Sequence, residues 1–176
     1  MTPGPRTHDG LIYDPRPDAE GQKSVKLIAA MVTDLRANAV SSPEYHMDNF
    51  WTEDMCWFGP GGIGASAFYD GYRRGHTDPF ETGLEYVSHT EHVARLGEGH
   101  FGGFFGFPSL TMRSTGGFMG LPKSDIPADM RIVDLYRRKG NKLAENWIFI
   151  DLPFWFMQQG VDILDRAQKT NSNRLI

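Results

Sequence analysis

From Ser24 the apolar positions Val25, Ile28, Val32, Leu35 and Ala39 recur at helical spacing, which predicts a one-faced helix ending near Val40. Ser42-Pro43-Glu44 places proline after a capping serine and predicts a short second helix through Phe50. Met55 to Phe58 reads as a brief strand, and residues 65–75 as a helix presenting Phe68 and Tyr72. Asp78-Pro79-Phe80-Glu81 repeats the cap-proline signal with a capping-box acid, so another helix is expected there. After Gly83 the texture changes to strands: Tyr86 to Leu96, His100 to Met112, Met130 to Arg138 and Lys142 to Ile150. Gly97-Glu98-Gly99 and Gly140-Asn141 are the tight turns that join them as hairpins. A helix from Leu152 to Gln159, a stop at Gly160 and a last helix from Asp162 to Ala167 complete the pattern. Helices first and hairpins after imply an α+β fold with helices on one face of an antiparallel sheet. Residues 1–22 hold four prolines and read as an extended arm before a domain over 23–167, and residues 168–176 as a polar tail.

Composition narrows the picture. The 176 residues suit one domain, and the net charge of -4 gives no electrostatic footprint for nucleic acid or an anionic membrane. A single cysteine, Cys56, forms no internal disulfide and no thiolate metal site. No apolar run is long enough to span a bilayer, and prolines and charge stand where a signal peptide needs an apolar stretch. The expectation is a cytoplasmic protein. Among the 20 glycines, Gly102, Gly103 and Gly106 interrupt a phenylalanine-rich strand, where glycine permits bulges and sharp bends.

Several constellations carry candidate chemistry. Gly59-Pro60-Gly61-Gly62-Ile63-Gly64 has the spacing of a dinucleotide fingerprint, but hairpins rather than a parallel βαβ unit follow it, so a glycine-rich turn is expected. His89 and His92 would share a face on a helix; on a strand their odd offset sends them to opposite faces, which argues against a metal site. Cys56, between Met55 and Trp57 with no base in reach, reads as a small buried hydrophobe. In the last hairpin Glu145, Trp147, Phe149 and Asp151 share one face, Asn146, Ile148 and Ile150 the other, and Asp134 shares a face with Tyr136. A carboxylate closing an aromatic strand is suited to proton transfer through desolvation. Asp151 is equally placed to cap the helix starting at Leu152, and residue types alone lean towards the cap.

The same hairpin resembles a known family. Asp134-Leu-Tyr136-Arg137, Gly140, Lys142-Leu-Ala-Glu145-Asn-Trp147, Asp151 and Gln158-Gln159-Gly160 are similar to the C-terminal signature of the SnoaL-like polyketide cyclases. Thr115-Gly116-Gly117-Phe118-Met119-Gly120-Leu121-Pro122 resembles the segment before that hairpin, and Trp57-Phe58-Gly59-Pro60 the first strand. The resemblance covers roughly residues 25–165. It implies the NTF2-like cone, a curved antiparallel sheet wrapped by N-terminal helices with a C-terminal helix, enclosing a pocket for a hydrophobic small molecule. It also implies ring closure by aldol condensation without metal or cofactor, with Asp151 matching the general acid/base. Arg113-Ser114 stands where family members often carry a histidine, and Lys123-Ser124-Asp125-Ile126-Pro127 replaces their Pro-Thr-Gly-Lys. Arg113, His89, His76 and Tyr136 are therefore candidate polar partners of Asp151, Arg113 and His89 as catalytic groups beside it, and Trp57, Tyr136, Trp147, His76, Phe118 and Asp134 are candidate substrate contacts. Isomerase, dehydratase and epoxide hydrolase chemistry, the last needing Asp134, Arg113 and Asp151 to converge on a water, are alternatives on the same cone. A non-catalytic binding protein is another. An open sheet face and the arm point to a homodimer.

Overall fold

In the computed structural model, residues 6–7, 10–11, 18–38, 46–89 and 92–172 are described. Most of the expected arm, and the start of the helix expected from Ser42, lie outside them. Two short strands, β1 (Arg6–Thr7) and β2 (Gly10–Leu11), pair antiparallel. Helix α1 (Ala19–Ala37) begins earlier than the apolar spacing suggests because Asp18 caps it, accepting from the Glu20 N–H at 3.1 Å. The other Asp18 oxygen accepts from the Gly99 N–H, so one carboxylate starts the helix and ties it to a sheet turn. Arg138, buried at the far end of the sheet, donates to Ser24 Oγ, Glu20 Oε2 and the Gly140 carbonyl.

The remaining strands are β3 (Trp51–Phe58), β4 (Ala65–Ala67), β5 (Leu84–His89), β6 (Ala94–Glu98), β7 (Phe101–Ser114), β8 (Ala128–Lys139) and β9 (Lys142–Ile150). They form one sheet in the order β4-β3-β9-β8-β7-β5, with β6 also paired to β7. The sheet is not wholly antiparallel as expected: β3 lies parallel to β9, a pairing between distant segments that no hairpin signal announces. Residues 65–67 are strand β4 rather than helix, because the Gly59–Gly64 turn folds them back onto β3, with the Gly59 N–H donating to the Gly64 carbonyl at 2.9 Å. That turn carries Gly62 at φ +91° and Gly64 at φ +96°, and it is a hairpin connection.

The strand expected over Tyr86 to Leu96 is two strands. β5 pairs with the second half of β7 (Leu84↔Ser114) and β6 with the first half (Glu98↔Phe101). Between the halves the register with β8 slips from Gly106↔Ile132 to Leu110↔Met130. A Cβ on Gly106 would fall 1.8 Å from Ser109 Oγ, so glycine is required where the strand folds onto itself. A partner strand cannot follow both halves across this bend, and it breaks.

After β4 come α2 (Phe68–Tyr72), a π-helical turn (Arg73–Thr77) and α3 (Asp78–Gly83). The helix expected from Asp78-Pro79 is α3, with Pro79 in its first turn; no side-chain cap starts it, because Thr77 is already helical and the chain runs straight in from the widened turn. Helices α4 (Leu152–Gln158) and α5 (Ile163–Ser172) close the fold, with Gly160 between them at φ +79°. One core cluster joins α1 to β3 and β9 through Ile28, Met31, Trp51, Met55 and Leu143. A second gathers Phe80, Met112, Phe118, Met130 and Trp155 under α3 and α4.

Helix α1 sits on the sheet through a glycine pair. A Cβ on Gly97 would stand 2.5 Å from the Gly21 carbonyl oxygen, and one on Gly21 2.6 Å from that of Gly97. Gly97→Val is therefore expected to lift α1 off the sheet and cost about 1–3 kcal/mol of stability. Gly61→Ala, with nothing within 4 Å of the added carbon, should leave the thermal midpoint in place. Equal midpoints for the two variants would contradict this packing.

Candidate functional site

Alternation along β8 sends Ile132, Asp134 and Tyr136 to the concave face, and along β9 Asn146, Ile148 and Ile150. The register sets Asp134 opposite Ile148 and Tyr136 opposite Asn146. The Tyr136 hydroxyl donates to Asp134 Oδ2 at 2.6 Å, and Asn146 Nδ2 donates to Asp134 Oδ1 and, at 3.0 Å, to the Leu135 carbonyl. Asp134 is only 6% exposed. Burial pushes its carboxyl up to about 7, the hydrogen bonds from Tyr136 and Asn146 opposing that rise without cancelling it. Near neutral pH the group is thus divided between a proton acceptor and a proton donor.

This cluster lines a cavity of about 600 Å³ whose walls come from both core clusters. Trp51, Trp57, Tyr72, Phe80 and Phe104 supply its aromatic lining. The rings form a chain from the sheet to the helices: Tyr136 to Trp51 (5.9 Å between centroids), Trp51 to Tyr72 (6.3 Å) and Tyr72 to Trp57 (6.0 Å). His76 continues it, stacked on Trp57 at 4.3 Å and edge-on to Phe80 at 4.5 Å. Burial holds the His76 imidazole down at about 3, so the ring is neutral at physiological pH. Arg36, Glu81, Tyr86, His89 and His92 add a polar sector. His89 is also lowered, by burial and then by the charge of Arg36, and His92 stacks on Phe104 at 3.8 Å.

Of the residues singled out in the sequence, Trp57, His76, His89, Asp134 and Tyr136 line the cavity together; Asp151, Arg113, Phe118 and Trp147 do not. Asp151 caps α4, accepting from the Phe154 N–H at 3.2 Å, with Arg131 Nη1 3.6 Å away and 41% of its side chain exposed. It follows the outward-facing row of Trp147 and Phe149, and the chain turns away from the cavity there. Arg113 pairs directly across the strands with Glu85 in a two-pronged ion pair, so Asp134, Arg113 and Asp151 do not converge on one water. Phe118 is core beneath Trp155, and Trp147 stacks on Phe58 on the convex face. His92 shares the cavity with His89 because β5 ends at His89, so strand alternation does not carry across to His92. Among the described residues no group of three or more His, Cys, Asp or Glu is placed to hold a metal ion.

Sequence reasoning missed Asn146, Trp51, Tyr72 and Ser109. The signal for Asn146 was present, since Asp134 and Tyr136 share a face and the Gly140-Asn141 turn brings Asn146 opposite Tyr136. What the sequence lacked was the sense of the face, because Trp147-Phe149 and Ile148-Ile150 are both apolar rows.

The sequence matches no family model and no curated protein. Solved structures do resemble it. An NTF2-like protein from Burkholderia xenovorans superposes with a TM-score of 0.62 at 14% identity, covering 80% of this chain and 98% of that one. A candidate SnoaL-like polyketide cyclase from Jannaschia gives 0.59 at 16% identity, covering 79% and 92%. IdmH from Streptomyces antibioticus, a candidate polyketide cyclase, gives 0.54 at 17% identity, covering 76% and 98%. The chain has the NTF2-like α+β fold, and the likeness to candidate SnoaL-like cyclases agrees with the motifs of its last hairpin. Among the described residues no helix is long and apolar enough to cross a membrane.

Proposed function

We propose that this protein is a cofactor-independent enzyme that enolises a hydrophobic carbonyl compound, of the kind used in aldol-type ring closure or isomerisation. The observation that carries this reading is Asp134, a buried carboxyl with a pKa of about 7, in an aromatic cavity of about 600 Å³. Ionised Asp134 takes the proton from the carbon α to the carbonyl, leaving an enolate. As a neutral acid it returns that proton to the product. Tyr136 and Asn146 orient the carboxyl and hold its oxygens in place. The apolar walls keep water from competing for the enolate. Asp151, which the family resemblance assigns to proton transfer, is in this account the cap of α4.

The substrate-independent test is α-hydrogen exchange of a bulky cyclic ketone, 2-tetralone, followed by NMR in deuterated buffer. The native protein should exceed the buffer rate, with activity rising as pH increases through about 7 because the base must be ionised. Asp134→Asn should lose about 100-fold or more. Asp151→Ala should retain exchange while losing about 1 kcal/mol of stability. Exchange at the buffer rate, or an unimpaired Asp134→Asn, contradicts the proposal; binding of the ketone without exchange marks a binding protein instead.

The convex sheet face supports a homodimer. Phe58, Trp147 and Phe149 form an aromatic patch there, with Phe149 59% exposed, beside the Arg137–Glu145 ion pair. Sedimentation should give a dimer for the native chain and a monomer for Phe149→Arg, whereas a strictly monomeric native profile excludes this arrangement.

A further inference from the structure

The cavity contains a second polar group that the proton-transfer chemistry of Asp134 does not use. His76 projects from the π-helical turn Arg73–Thr77, between Trp57 and Phe80. Widened turns of this type are rare, and they occur disproportionately where a side chain must be aimed at a functional site. The ring makes aromatic contacts on three sides, to Trp57, Tyr72 and Phe80. Its Nδ1 is buried and has no hydrogen-bond partner among the described residues. A purely structural ring at this position would be served as well by phenylalanine, which has no polar atoms to desolvate. Each buried polar atom left without a partner costs roughly 1–3 kcal/mol, so a histidine in this setting calls for an explanation.

Two further polar atoms of the lining share this condition, Trp57 Nε1 and Ser109 Oγ. The Asp134 cluster is different: its carboxylate oxygens already accept from Tyr136 and Asn146. The Asp134 oxygens are thus satisfied, whereas His76 Nδ1, Trp57 Nε1 and Ser109 Oγ have no partner among the described residues.

We propose that His76 is the hydrogen-bonding partner of a substrate oxygen, a second polar anchor on the helical wall of the cavity. The inference rests on the reading of the cavity as the site of a hydrophobic carbonyl compound. The ring stays neutral at physiological pH because burial disfavours its cation. A neutral imidazole binds a keto, hydroxyl or enolate oxygen by hydrogen bonding, and it does not require the carboxylate counter-ion that a buried imidazolium would need. The substrate class that follows is an aromatic or polycyclic compound with an oxygen function positioned at the Trp57–His76 wall. A plain hydrocarbon skeleton would leave that wall unanswered.

The test compares two probes of nearly equal shape, 2-naphthol and naphthalene, by fluorescence titration at pH 7. The native protein should bind both and prefer 2-naphthol. His76→Phe should reduce that preference by about five- to tenfold, the effect of one net hydrogen bond of about 1 kcal/mol, while keeping its affinity for naphthalene. His76→Gln should recover part of the preference. The effect should persist in an Asp134→Asn background, since the anchor is separate from the base. Nitrogen-15 NMR of histidine-labelled native protein gives a reading independent of any variant's folding: the His76 ring resonance should move with 2-naphthol and stay still with naphthalene. An unchanged preference in His76→Phe, or a ring signal indifferent to 2-naphthol, overturns the assignment of His76 and leaves the Asp134 reading standing. Failure of the native protein to bind either probe removes the ligand-cavity reading itself.

Discussion

A carboxyl group enclosed by aromatic walls persists in a folded protein only when its oxygens find donors, and Asp134 finds them in Tyr136 and Asn146. The rest of the architecture can be read as what this requirement demands. Tyr136 stands two residues along the same strand and Asn146 opposite it in the hairpin partner, so the cluster depends on β8–β9 register. A slip of one residue in either strand would turn that strand's members of the cluster to the convex face and separate them from the others. The cost is paid in stability. Folding raises this pKa from the ordinary aspartate value to about 7, so the folded state binds a proton that the unfolded chain has released between those values. Asp134 therefore lowers stability as pH rises from about 4 towards 7, the reverse of a salt-bridged aspartate.

The cavity around it exists because the sheet bends. Gly106 folds β7 against Ser109, and Gly102 lets Ile28 of α1 approach to where a Cβ would sit 2.8 Å away. The bend splits the outer partner of β7 into β5 and β6 and opens the concave face, while the Gly21–Gly97 contact sets α1 across one side of it. Aromatic rings from β3, α2, α3 and the π-helical turn then line the remaining space. Glycine fixes the shape of the container and the aromatic residues fill its wall.

Much of this was legible in the chain. Period-two alternation and tight turns identify β7, β8 and β9 nearly to the residue, and the glycines in the phenylalanine-rich strand point to curvature. The motif resemblance points to the NTF2-like α+β fold that the structural neighbours share. The parallel β3–β9 pairing and the break between β5 and β6 were not legible, because both are set by contacts between distant segments or by a bend in a neighbour. The site was half legible for a related reason. Asp134 and Tyr136 could be placed on one face, but with apolar rows on both sides of β9 the local pattern did not say which row faces inward. Residue types alone lean towards a cap at Asp151, and only the family resemblance assigns it proton transfer. Its hydrogen bond to the Phe154 N–H and its exposure identify it as a helix cap.

Proton transfer in this cavity depends on the ionisation of one buried carboxyl, and carbon-13 NMR of the aspartate side chains reads that directly. The Asp134 carboxyl resonance, assigned by its loss in Asp134→Asn, should titrate with a midpoint near 7, well above the other aspartates. It should shift further up when an apolar ligand fills the cavity and excludes water. A midpoint near 4, in the ordinary aspartate range, would mean that Asp134 is a solvated carboxylate, and the proton-transfer account would fail.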